Sequence, residues 1–164
     1  MNPGGLRTDI AAGDVTYGEL YNVQPFGNTV NAVTMTGADI KQLLEQQFPI
    51  PASPTFAGRT TQLWLGTSEG FAYNYDPARA LNDRIDQCSI TINGARVDPA
   101  TSYRVAANSF LTAGGDDFAA FRKGRDLASG PVDVDTALEY FQANSPVSPP
   151  AADHATLTTS RLSC

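Results

Sequence analysis

The sequence predicts an α+β fold, a mixed β-sheet with helices packed against it. Two stretches carry helical apolar periodicity, and one of them starts with a cap signal. Several other runs alternate in the manner of strands, and an Asn93-Gly94 pair marks a hairpin between two of them. A hydrophobic content of 41% with 17% charged residues is that of a chain able to fold around a core.

Taken in order, Met1 to Arg7 reads as the end of a strand entering a glycine turn, with earlier elements of the domain expected before it. Thr8 to Thr16 is a polar loop. Thr16 then caps a short helix, Tyr17 to Val23, with Glu19 in the capping-box position. Pro25 ends that helix, Phe26-Gly27-Asn28 turns, and Thr29 to Met35 alternates as a strand. Thr36 caps an amphipathic helix with Ile40, Leu43, Leu44 and Phe48 on one stripe. Pro49, Pro51 and Pro54 open a loop that runs to about Thr61.

Gln62 to Leu65, Gly70 to Tyr75 and Arg84 to Ile92 read as strands, the last turning through Asn93-Gly94 into Ala95-Arg96-Val97. Tyr103 to Ala107 is a strand, and Phe118 to Lys123 is helix-like. Val132 to Asn144 is a second good helix carrying Val134, Leu138 and Phe141, broken by Pro146, Pro149 and Pro150. Thr156 to Leu162 is a last strand. The 164 residues amount to one domain, without repeats or a low-complexity linker.

A formal net charge of −6 opposes a nucleic-acid partner, because little here could neutralise a row of phosphates. Apolar runs of only a few residues give no membrane span. Cys88 and Cys164 lack metal-ligand or redox spacing. Cys88 reads equally as a small core residue or as half of a disulfide to Cys164. The single histidine, His154, follows a proline-rich loop and reads as a solvated surface residue. There is no metal-binding pattern, no nucleophile motif and no phosphate-cradling loop. Catalytic and metal-ligating residues are therefore expected to be absent from this chain.

Three loops offer the means to hold a ligand. Asn2-Pro3-Gly4-Gly5-Leu6-Arg7 combines room for close approach with a guanidinium suited to phosphate or carboxylate. Pro25-Phe26-Gly27-Asn28 presents an aromatic face and an amide. Ser109 to Phe118 sets Phe110 and Asp116 around Gly114-Gly115, an apolar face beside a carboxylate. The plainer reading of this last loop is a tight turn with a core phenylalanine and a helix-capping aspartate.

In their order and spacing these segments resemble the C-terminal, substrate-binding domain of the 5'-nucleotidase family, which includes UDP-sugar hydrolases and 2',3'-cyclic-nucleotide phosphodiesterases. The resemblance rests on the three loops, the second extended by Val23-Gln24 before it and the third by Asn108 before it, together with Gly13-Asp14-Val15-Thr16-Tyr17, Thr36-Gly37, Tyr73-Asn74-Tyr75-Asp76 and Tyr103-Arg104-Val105-Ala106. It implies that Phe26 and Phe110 stack on the base, that Asp116 accepts the ribose hydroxyls, and that Arg7 contacts phosphate. Asn2 and Asn28 would meet the base or line its pocket, and Gly5 and Gly115 would admit the ligand.

The resemblance further implies a parent hydrolase whose N-terminal metallophosphoesterase domain carries two divalent metal ions. That catalytic domain is the expected intramolecular partner. The present chain alone is expected to be inactive, and the parent to be extracellular, cell-wall associated or periplasmic. The alternative is a nucleoside-binding module that serves no hydrolase. One departure from the pattern is Asp117, where the family commonly has glycine, a change expected to stiffen or recharge the loop.

Overall fold

Two reciprocal capping boxes start the first two helices. Thr16 and Glu19 exchange side-chain and backbone hydrogen bonds at the head of α1 (Tyr17–Val23), and Thr36 and Asp39 do the same at α2 (Gly37–Glu45). Each cap satisfies amides that would otherwise be orphaned, worth about 1 kcal/mol apiece. The computed structural model describes residues 1–52, 58–151 and 154–164. Part of the expected proline loop, residues 53–57, lies outside the described residues.

The first sheet is antiparallel and centres on β1 (Thr29–Thr36), flanked by β5 (Ser102–Asn108) and β6 (Arg125–Val132). The second has the order β4-β3-β2-β7, built from β2 (Phe71–Tyr75), β3 (Thr91–Ile92), β4 (Ala95–Arg96) and β7 (Ala155–Leu157). Its β2–β7 pair is parallel and the others antiparallel, so the expected mixed pairing is present. Asn93 and Gly94 turn β3 into β4 with φ of 49° and 76°, the left-handed pair that a tight hairpin requires.

Helix α2 serves two cores. Ile40 and Leu43 pack with Val33, Met35, Leu111, Phe118 and Phe121. Leu44 and Phe48 pack with Tyr73, Ile85, Ile90 and Val97, while Phe71 and Tyr103 touch both groups. Cys88 and Cys164 form a disulfide that spans 76 residues with Cα atoms 5.3 Å apart, which decides between the two readings of Cys88. It pins the C-terminal segment, where the Leu162 amide also donates to buried Asp86 at 2.8 Å.

Several expected elements take other forms. Met1 to Arg7 contains a 3₁₀ turn, Pro3–Gly5, in place of a strand end. Gln62 to Leu65 forms no strand, because its amides find Gln47: Leu63 donates to the Gln47 carbonyl and Leu65 to its side chain, each at 2.8 Å. Arg84 to Ile92 is interrupted by a 3₁₀ turn, Gln87–Ser89, capped by Asp86, so only Thr91–Ile92 is strand. Phe118 to Lys123 holds 3₁₀ helix, Ala119–Lys123, and no α-helix. The last strand stops at Leu157. His154, just ahead of β7, is half-buried, and its Nδ1 lies 2.8 Å from the Phe71 carbonyl, which ties it to the start of β2.

Candidate functional site

The register of the first sheet gathers the predicted loops at one end. Val30 faces Asn108 and Thr29 faces Val132. The Phe26–Asn28 turn ahead of β1 therefore lies beside the segment leaving β5, and beside the start of helix α4 (Asp133–Asn144) after β6. The N-terminal loop joins them through the Arg7 amide, which donates to the Val23 carbonyl at 2.9 Å.

A relay of side-chain amides then aims one carboxylate. Asn108 caps α3 (Ser109–Thr112) by accepting from the Leu111 amide at 2.8 Å, so its Nδ2 faces away and donates to Asn2 Oδ1 at 3.2 Å. That contact leaves Asn2 Nδ2 to donate to Asp116 Oδ2 at 2.6 Å. Asn2 and Asn108 are 3% and 5% exposed, so each buried amide is oriented by the one behind it. Gly5 is buried against the relay: a Cβ there would stand 2.8 Å from Asn2 Oδ1.

Phe110 does not plug the core. It is 45% exposed and its ring lies on Gly115, where a Cβ would meet ring carbons at 2.4 to 2.6 Å. The core phenylalanine of this loop is Phe118, at 0% exposure. Asp116 caps no α-helix either, since its φ of 52° lies in the left-handed region within a 3₁₀ turn. Phe26 is 54% exposed, with the Arg7 guanidinium 5.9 Å from its ring centroid.

Asn28 is held from two sides. Its Oδ1 accepts from the Ser109 hydroxyl at 3.2 Å, and its carbonyl accepts from the Asp133 amide at 2.8 Å. Asp133 is 6% exposed, and burial raises its pKa above the usual carboxylate range against hydrogen bonds from Val134, its own amide and Asn28.

The predicted residues thus fall into two adjoining sets, one of Asn2, Gly5, Phe110, Gly115 and Asp116, the other of Arg7 and Phe26. Asn28 bridges them through Ser109. Among the ring–ring contacts of the described residues, Phe26 and Phe110 are not paired with each other. Asn108, Ser109 and Arg59 are contributors that sequence reasoning did not place in the site. For Asn108 the cap position before Ser109 was a usable signal, whereas Arg59, whose Nη1 donates to the Asp116 carbonyl and whose backbone bridges Ile50, carried none.

A cavity of about 370 Å³ lies elsewhere, among Ile40, Leu43, Leu44, Leu65, Phe71 and Tyr103. Its walls are chiefly apolar and none of the predicted contact residues lines it. The loop surface is the better candidate, since it sets two exposed rings beside an oriented carboxylate and a guanidinium. Such a surface can stack a flat ring, accept hydrogen bonds from hydroxyls and pair with an anion. Among the described residues no group of three or more His, Cys, Asp and Glu could hold a metal ion. No helix there is long and apolar enough to cross a membrane.

A family profile described as the 5'-nucleotidase C-terminal domain matches residues 1–123. A trifunctional nucleotide phosphoesterase of Bacillus subtilis is 37% identical over 86% of this chain and 9% of its own length. A cell wall protein of Listeria monocytogenes is 30% identical over 86% of this chain and 18% of its own. The solved structure of a 5'-nucleotidase precursor from Thermus thermophilus superposes with a TM-score of 0.71 at 26% identity, over 97% of this chain and 31% of that one. The chain spans less than a third of each of these three proteins. With three quarters of its residues matched by the profile, the chain belongs to the family of 5'-nucleotidase C-terminal domains.

Proposed function

We propose that this chain is the nucleotide-recognition domain of a metal-dependent 5'-nucleotidase-type phosphoester hydrolase. In this reading the whole chain is one domain, with its first elements and the metallophosphoesterase domain supplied by the rest of the protein. Phe26 and Phe110 stack on the base, Asp116 accepts the ribose hydroxyls, and Arg7 pairs with phosphate. Asn2 and Asn28 meet the base or line its pocket, while Gly5 and Gly115 leave room for the ligand. The observation that carries the reading is the exposed Phe110 ring beside an Asp116 carboxylate aimed by buried Asn2.

The two divalent metal ions that the family implies find no donor set among the described residues. His154 has its Nδ1 committed to the Phe71 carbonyl. No hydrolytic step is therefore assigned to this chain, and the catalytic domain is its partner. A disulfide and a cell-wall relative favour a place outside the cytoplasm, whether extracellular, cell-wall associated or periplasmic.

Calorimetric titration with adenosine and AMP tests the reading. The chain is expected to bind both, and Phe26→Ala and Phe110→Ala each to weaken adenosine by about tenfold to a hundredfold, the range for loss of one aromatic stacking face. It is expected to release no phosphate from AMP with magnesium, manganese or zinc. Normal adenosine binding by both variants, or sustained phosphate release by the purified chain, overturns it.

A further inference from the structure

Asp116 and Asp117 follow one another with φ of 52° and 62°, a region that residues other than glycine seldom occupy. Asn2 fixes the end of the Asp116 side chain but does not explain what holds the main chain in this shape. That task falls to a residue from a distant loop. Arg59 donates from Nη1 to the Asp116 carbonyl and from Nη2 to the Gln46 carbonyl, with a second Nη2 contact to the Phe48 carbonyl at 3.2 Å. Its Nε donates to the Thr61 carbonyl at 2.9 Å, and its guanidinium lies 5.3 Å from the centroid of buried Phe118.

Every branch of the fork is thus committed. One arm reaches the carboxylate-bearing loop, and the others are braced on the end of α2 and on the Arg59 loop itself. The turn that follows α2 is a rigid anchor, since Phe48 is 1% exposed and Gln47 fully buried. A guanidinium suits the task because its donors are planar and fixed relative to one another, so holding the Gln46 and Phe48 carbonyls, just past α2, fixes where the Asp116 carbonyl must sit. The carboxylate direction then depends on two constraints, Asn2 on Oδ2 and Arg59 on the main chain.

We propose that Arg59 is a positioning residue for ligand recognition, a brace between the end of α2 and the Asp116 carbonyl that sets the Asp116 carboxylate for a vicinal diol. It touches no ligand itself. The proposal rests on the reading of Asp116 as the diol acceptor, and the test separates the two.

The readout is the preference for adenosine over 2',3'-dideoxyadenosine, measured by titration below every melting transition. Both ligands see the same folded fraction, so the ratio is blind to simple destabilisation. The unaltered chain should prefer adenosine by about tenfold to a hundredfold, as expected for hydroxyls donating to a charged acceptor. Asp116→Ala should erase the preference. Arg59→Gln should cut it to within about threefold of unity while leaving dideoxyadenosine affinity within about twofold, the same free-energy scale applied to a misaimed acceptor.

Arg59→Lys keeps the charge but loses the fork, so it should behave like Arg59→Gln, and it serves as the test if the glutamine variant fails to fold. A retained preference in both Arg59 variants, with Asp116→Ala still abolishing it, overturns the brace and leaves the Asp116 reading intact. A retained preference in Arg59→Lys alone replaces the brace by a simple charge effect and overturns it too. A preference that survives Asp116→Ala, or an unaltered chain that binds neither nucleoside, overturns both readings.

Discussion

Gly115→Ala separates recognition from stability. A Cβ at this position would stand 2.4 Å from Phe110 Cε1, 2.5 Å from Cζ and 2.6 Å from Cδ1. Carbon atoms pack at about 3.5–4.0 Å, so the ring edge must retreat by about 1 Å or swing to another rotamer. Nothing in the core prevents this, because Phe110 is 45% exposed. The backbone does not resist either, since Gly115 lies outside the left-handed region and alanine there restricts the unfolded chain.

The displaced ring no longer lies on Gly115, and loss of one stacking face corresponds to about 1–3 kcal/mol. Calorimetric titration should show adenosine bound about tenfold to a hundredfold more weakly. The melting temperature should stay within about 3 °C of the native value, the shift expected for less than 1 kcal/mol in a domain of this size. The double variant with Phe110→Ala should be no weaker than Phe110→Ala alone, since both remove the same wall. Native affinity in Gly115→Ala would refute the assignment of Phe110 as a stacking wall. Additive losses in the double variant would show that alanine acts through something else.

Phe118→Ala should behave in the opposite way, costing about 3–5 kcal/mol as a fully buried ring, whereas Phe26→Ala should leave the denaturant midpoint nearly unchanged. Replacing Cys88 and Cys164 by serine should cost about 4 kcal/mol for a closed loop of this length, lowering the melting temperature by roughly 8–16 °C. Thiol titration of the unfolded, unreduced native chain should find no free thiol. Burial raises the pKa of Asp39, but hydrogen bonds from Thr36 and the charge of Lys123 carry it net below its ordinary 3.8. Its folded value is thus the lower one, so its contribution is present above about pH 4 and is lost as pH falls through the folded pKa. Asp39→Asn should flatten that part of the acid-unfolding curve followed by circular dichroism.

What was legible in the sequence was what is encoded locally. Thr16-Glu19 and Thr36-Asp39 are complete signals within four residues, and the stripe from Ile40 to Phe48 specifies the face of α2 whatever it meets. Asn93-Gly94 carries its own turn geometry. Strand β6 was missed because all but the last of its residues are exposed and it contains Gly130-Pro131. Its existence depends on pairing with β1 through an irregular register, which no alternation announces. Arg84 to Ile92 misled in the other direction. Ile85 and Ile90 are both fully buried yet have opposite parity, which requires a turn between them and not one straight strand.

The candidate site divides along the same line, and Asp117 shows why. Phe26, Asn28, Phe110 and Asp116 could be picked out because ring, amide and carboxylate declare their chemistry in the residue type. Their orientation could not, because Asp116 is aimed by Asn2, itself held by Asn108, and by Arg59, while Asn28 is met by Ser109. By type alone, Asp117 promised a stiffer or recharged loop. Its φ of 62° is one that aspartate tolerates better than most residues with a side chain, so the left-handed turn that suits glycine is kept. The added charge also has an answer, since Asp117 and Asp116 both favour the charged form of Arg59 against the burial that lowers its pKa. The side chain at 117 departs from glycine while the backbone that presents Asp116 does not, and it is the backbone on which the carboxylate's direction depends.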